Sequence, residues 1–138
     1  MERSAELRDF TLRVYQAMTS ADVGYLEGVL SRQEGLVAIG SDPAEWWTGY
    51  DDLVRAFRVQ FAEMGGAFPV TAGDPQAYQE GSVGWVADRA TVSLLDGQAI
   101  PFRLTMVCHR EDGDWKVVQW HISVGVANEE AVGKELTI

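Results

Sequence analysis

Two apolar-polar alternating segments, Phe102 to Arg110 and Asp114 to Val124, flank Glu111-Asp112-Gly113, and together they constrain the fold more than any other stretch of the chain. Aspartate followed by glycine between two alternating runs is a β-hairpin signal. A three-residue loop with Gly113 left-handed pairs even positions with even. Phe102, Leu104, Met106 and Cys108 then share a face with Val118, Trp120, Ile122 and Val124. Arg103, Thr105 and His109 fall on the opposite face with Gln119, His121 and Ser123. A two-residue loop would slip the register by one and mix the two sets, so the longer turn is expected. The apolar face needs a covering layer, and the rest of the chain supplies helices for it.

Leu7, Phe10, Val14, Ala17 and Met18 recur at helical spacing behind Ser4, which predicts a capped helix over residues 5–19. Asp22 is placed to cap a short second helix carrying Leu26, Val29 and Leu30. Gly35 to Gly40 reads as a brief buried strand. Asp42-Pro43-Ala44-Glu45 has a cap, a proline at the first helical position and a glutamate three residues after the cap, which predicts a short helical turn holding Trp46 and Trp47. A third helical stripe, Leu53, Val54, Phe57, Phe61 and Met64, ends at Gly65-Gly66. Beyond it, residues 68–79 are weakly patterned and broken by Gly73-Asp74-Pro75, as in an irregular edge strand, whereas Val83 to Leu95 is a clear strand turned by Asp96-Gly97. Three helices followed by a four-stranded antiparallel meander make an α+β domain with helices on one face of a curved sheet.

The chain of 138 residues reads as one domain, with a core over residues 1–124 and a tail over 125–138 that carries no motif. Eleven basic against twenty-one acidic side chains give a net charge of −10, which disfavours nucleic acid and anionic membrane as partners. Cys108 is the only cysteine, so no intrachain disulfide is expected, and the charged N-terminal residues do not resemble a signal peptide. Both point to a cytoplasmic protein. No cofactor or metal is implied, because His109 and His121 are the only histidines and lie well apart along the hairpin.

The order of elements, the ending Asp112-Gly113-Asp114-Trp115-Lys116-Val117-Val118-Gln119-Trp120-His121-Ile122-Ser123, the strand Gly84-Trp85-Val86-Ala87-Asp88 and the Trp46-Trp47-x-Gly49 motif resemble the SnoaL-like branch of the nuclear transport factor 2-like (NTF2-like) superfamily. The resemblance implies a cone in which three N-terminal helices and a concave, mainly antiparallel sheet enclose an apolar pocket. It also implies dimerisation through the convex sheet face. The superfamily contains isomerases, cyclases and dehydratases alongside association domains, so the fold does not fix the function. Two readings remain: a pocket protein for a small apolar molecule, with or without cofactor-independent acid–base catalysis, and a non-catalytic dimerisation or ligand-sensing module.

The candidate acids are Asp42 and Asp88. In ketosteroid isomerases a catalytic base stands in an Asp-Pro pair after the strand that follows the second helix, and Asp42-Pro43 occupies a similar place; a plain helix cap is the competing reading. The isomerases add a first-helix tyrosine, but the matching position here is Val14, with Tyr15 turned about 100° around the helix, which argues against steroid isomerase activity. Asp88 alternates with Val86, Ala90 and Val92, so it projects from an apolar face and must be paired, protonated or at a cavity mouth. Trp46, Trp47, Phe57, Phe61, Met106 and Trp120 are the candidate cavity walls. Arg103, Thr105, Gln119, His121 and Ser123 are the expected polar contacts of a homodimer, and Trp85 and Trp115, at odd positions, are expected on the same outer face.

Overall fold

The computed structural model describes residues 1–136, so Thr137 and Ile138, at the end of the predicted tail, lie outside the described residues. In chain order the elements are β1 (Glu2–Arg3), α1 (Ala5–Ser20), α2 (Val23–Val29), β2 (Val37–Ile39), β3 (Trp46–Thr48), α3 (Tyr50–Glu63), β4 (Val70–Thr71), β5 (Gln76–Glu80), β6 (Val83–Ser93), β7 (Ala99–Glu111), β8 (Asp114–Ser123) and α4 (Asn128–Val132). All strands join one 8-stranded sheet in the order β1-β5-β6-β7-β8-β2-β3, with β4 also paired to β6. The predicted meander is its centre, β5 to β8. Parallel pairing of β2 with β8 then extends it into a β2–β3 hairpin. The architecture is α+β, with α1, α2 and α3 packed against a mostly antiparallel sheet. Among the described residues no helix is long and apolar enough to cross a membrane.

The first two helices begin where their side-chain caps place them. The Ser4 hydroxyl accepts from the Leu7 amide at 3.1 Å, and the Asp22 carboxylate accepts from the Tyr25 amide at 3.1 Å. Leu7, Val14 and Ala17 of α1 are fully buried, each larger side chain contributing about 1.5–3 kcal/mol by leaving water. Their partners come from the inward residues of the sheet, among them Val86, Leu104, Met106 and Cys108.

The hairpin closes with a shorter turn than expected. Glu111 pairs directly with Asp114, so the loop is Asp112-Gly113, and both residues are left-handed, with φ of 53° and 86°. That is the turn whose twist matches the flanking strands. The register slip it should cause is cancelled farther along by a bulge: Val107 faces Gln119 but Cys108 faces Val117, leaving Val118 as the extra residue. Near the turn the odd residues Trp115 and Val117 are therefore buried, whereas beyond the bulge Trp120 faces Met106 on the core side. Trp115 thus belongs to the core rather than to the outer face. Trp85 stays on the outer face, half-buried and stacked on Tyr78 with ring centroids 6.4 Å apart.

Asp42 to Glu45 departs from the expected helical turn in a second way. The capping chemistry forms, with the Asp42 carboxylate accepting from the Ala44 amide and the Glu45 carboxylate from the Asp42 amide, each at 2.8 Å. No helix follows. The reciprocal bonds instead close the β2–β3 hairpin, and Trp46-Trp47-Thr48, rich in strand-favouring side chains, pairs with Val37–Ile39. The tail, read as having no motif, carries the short exposed helix α4.

Candidate functional site

Between α3, the β2–β3 hairpin and the concave face of the sheet lies a cavity of about 410 Å³. Six aromatic side chains, Trp47, Phe57, Phe61, Phe68, Phe102 and Trp120, contribute to its wall. Four of them form an edge-to-face chain, with centroid separations of 6.0 Å for Trp120–Phe57, 6.5 Å for Phe57–Phe61 and 5.0 Å for Phe61–Phe68. Edge-to-face contacts of this kind fix ring orientation as well as burying area.

The polar part of the wall is small and built from two elements. Glu45, at the end of the β2–β3 turn, points toward α3, where the Gln60 amide donates to its Oε2 at 2.6 Å. Its Oε1 accepts from the Asp42 amide. Both glutamate oxygens are thus held, one by backbone and one by side chain. The close passage needs Gly40, since a Cβ there would lie 2.7 Å from the Cβ and Cδ of Glu45. Ser41 and Glu63 complete the polar lining, and among the described residues no Lys, Arg or His takes part in it.

The residues expected at the site divide. Trp47, Phe57, Phe61 and Trp120 line the cavity. Trp46 does not: alternation along β3 turns it outward, where it is 64% exposed. Met106 is fully buried but packs within the core, away from the cavity wall. Asp42 is exposed on the hairpin turn and spends its carboxylate on the Ala44 amide. It lies outside the cavity because the turn presents Glu45, not Asp42, to α3.

Asp88 is buried as its alternation predicts, yet it too is absent from the cavity wall. It accepts three hydrogen bonds: from the Tyr15 hydroxyl at 3.0 Å, the Gly73 amide at 3.2 Å and the Asp74 amide at 2.8 Å. The carboxylate therefore pins the Gly73-Asp74-Pro75 kink that separates β4 from β5, and ties it to α1. Burial, and then the Asp88 charge, push the Tyr15 hydroxyl well above the ordinary tyrosine range. Tyr15, next to the Val14 position, is thus the partner of the second candidate acid, and neither side chain lines the cavity.

Arg103, Thr105, Gln119, His121 and Ser123 lie together on the outer face, where Arg103 is opposite Ser123 and Thr105 opposite His121, and the Arg103 guanidinium donates to the Ser123 hydroxyl at 3.0 Å. His109 is opposite Lys116, several residues from His121 along the hairpin. Glu45 and Gln60 were not anticipated as a pair. Gln60 carried a signal, because it sits three residues after Phe57 and four before Met64, a polar residue on the apolar stripe of α3. Glu45 carried none beyond its capping role, since only the fold brings it across to α3.

A family model for the SnoaL-like domain matches residues 7–127. The chain belongs to the SnoaL-like family. Solved structures agree on the fold of this SnoaL-like protein. An NTF2-like protein of unknown function from Pseudomonas putida KT2440 superposes with a TM-score of 0.82 at 18% identity, covering 98% of this chain and 96% of that one. An NTF2-like protein from Cytophaga hutchinsonii gives 0.72 at 19% identity, over 91% and 100% of the two chains. An uncharacterized protein with a cystatin-like fold from Caulobacter vibrioides gives 0.73 at 11% identity, over 91% of each. Among curated proteins, none matches this chain.

Proposed function

We propose that this SnoaL-like protein binds a small, mainly apolar molecule in the cavity, with the aromatic wall holding its body and the Glu45–Gln60 pair orienting its polar end. The observation that carries this reading is the cavity itself. Its volume of about 410 Å³ falls within the range of roughly 300–1,000 Å³ usual for ligand sites, and an apolar wall with a few convergent polar groups is their usual composition. The SnoaL-like fold supports the same class of activity, ligand binding or isomerase-type chemistry.

Titration calorimetry with naphthalen-1-ylmethanol, a neutral two-ring probe, tests the reading, with indole fluorescence from Trp47 and Trp120 as a second signal. Saturable binding is expected at micromolar to low-millimolar concentration, about −4 to −8 kcal/mol. No saturable heat up to the solubility limit would refute it.

One observation favours a catalytic version. Glu45 is a carboxylate on the wall of an apolar cavity, the placement a general base needs to reach a proton on a bound carbon acid. Proton transfer, if this protein performs it, is assigned to Glu45 rather than to Asp42 or Asp88, neither of which lines the cavity. The outer face carrying Arg103, Thr105, Gln119, His121 and Ser123 is proposed as the contact of a homodimer. Native mass spectrometry reads this directly, and a monomer at micromolar concentration would remove the assignment.

A further inference from the structure

The charge pattern of the cavity narrows the class of ligand. Among the described residues the ionisable side chains in its wall, Glu45 and Glu63, are both acids, and no cationic side chain lines it. A ligand bearing a carboxylate or phosphate would meet like charge with no counter-ion from the wall, and in partly desolvated surroundings that juxtaposition costs several kcal/mol. A ligand with a protonated nitrogen meets the opposite situation.

Glu45 is prepared for such a group. Backbone and Gln60 donors take one acceptor site on each of its oxygens. A carboxylate offers about four such sites, so two remain for a ligand. Because both existing donors orient the group, little further ordering is needed on binding. Trp47 follows Glu45 by two residues, and both line the cavity. An indole beside a carboxylate recognises a cation twice, through its π face and through a charge-assisted hydrogen bond. The net charge of −10 adds long-range attraction for cations.

We infer that the cavity selects an apolar amine, a ligand whose protonated nitrogen sits against Glu45 while its hydrocarbon body lies among Trp47, Phe57, Phe61 and Trp120. This inference rests on the preceding reading of the cavity as a ligand site, and goes beyond it by fixing the charge of the ligand.

Three probes sharing one ring system separate the two claims: naphthalen-1-ylmethanamine, naphthalen-1-ylmethanol and naphthalene-1-carboxylate, titrated calorimetrically into the full chain at pH 7 and low salt. The amine is expected to bind at least about tenfold tighter than the alcohol, the carboxylate to bind more weakly than either, and the amine's advantage to shrink as salt is raised. Glu45→Gln retains an oxygen for the Asp42 amide. It removes the charge, so amine binding should fall by more than alcohol binding does, and most of the amine's advantage over the alcohol should be lost. Equal binding of amine and alcohol, or tightest binding of the carboxylate, overturns the amine inference and leaves the ligand site standing. Failure of all three probes overturns both. Loss of the amine's advantage in Glu63→Gln but not in Glu45→Gln also overturns the assignment.

Discussion

Replacing Asp88 by alanine tests whether this buried acid is a support for the fold or a reagent. Asp88 is 6% exposed, and its carboxylate accepts from the Tyr15 hydroxyl and from the Gly73 and Asp74 amides. A hydrogen bond to a charged group contributes about 1.5–3 kcal/mol, but simple addition over three bonds overcounts, because Gly73 and Asp74 lie on an exposed kink where water can replace the lost acceptor. The Tyr15 hydroxyl is enclosed and stays unsatisfied. Removing one partner of a buried charged network costs about 3–5 kcal/mol, and the Asp88→Ala variant should fall in that range. At about 3 °C per kcal/mol for a domain of this size, its Tm should drop by about 10–15 °C. Tyr15→Phe removes one of the three bonds and should cost about 1–2 kcal/mol. Urea denaturation of the two single variants and the double variant gives the coupling energy: the two single costs should sum to about 1 kcal/mol more than the double, because the two side chains share a bond that the double variant loses only once. Asp88 supports the kink and α1, so folded Asp88→Ala protein should bind the neutral naphthalene probe as the parent does. An Asp88→Ala protein within about 0.5 kcal/mol of the parent would refute the reasoning. So would one that is stable yet no longer binds the probe.

Two further outcomes follow from the same core. The Tyr15 hydroxyl is held above its ordinary value by burial and by the Asp88 charge, so the unfolded chain loses this proton first as pH rises; the contribution is whole below about pH 10 and declines above it, by up to about 1.4 kcal/mol per pH unit. Urea midpoints from pH 9 to 11.5 should therefore fall more steeply in the parent than in Tyr15→Phe, and parallel curves would contradict this. Burial pushes the Cys108 thiol up to about 12, leaving about one part in ten thousand as thiolate at pH 8. Labelling with Ellman's reagent should be slow in the native protein and rise with urea along the unfolding curve; rapid native labelling would show that β7 opens locally.

Much of the fold was legible because its signals are local. Ser4 and Asp22 cap the helices they were expected to cap, and the stripes on α1 and α3 face the sheet as their spacing requires. Alternation along β6 placed Asp88 inside, and the polar set from Arg103 to Ser123 fell on one outer face. Where the fold departs from the local pattern, competing local and long-range bonds are the reason. Asp42 to Glu45 makes the bonds of a capping box, but those bonds stabilise a turn equally well, and strand pairing between Trp47 and Ala38 decided which structure followed. The turn at Asp112-Gly113 is one residue shorter than expected, and the bulge at Val118 restores the parity beyond it, so the correct outer face emerged from an incorrect turn.

The site was less legible, for a reason of distance along the chain. Trp47, Phe57, Phe61 and Trp120 could be found because apolar periodicity marks them. The polar group that equips the cavity joins residues 15 apart across two elements, and the bond that occupies Asp88 joins residues 73 apart. By itself the sequence determined α1 to α3, the strands β6 to β8, most of their buried positions and the acidic charge, because each depends on side chains a few residues from one another. Only the tertiary structure decided which carboxylate meets the cavity. Asp42, Glu45 and Asp88 differ little as acids, and their roles diverge through the donors that folding brings to each: the Ala44 amide to Asp42, Gln60 to Glu45, and Tyr15 to Asp88.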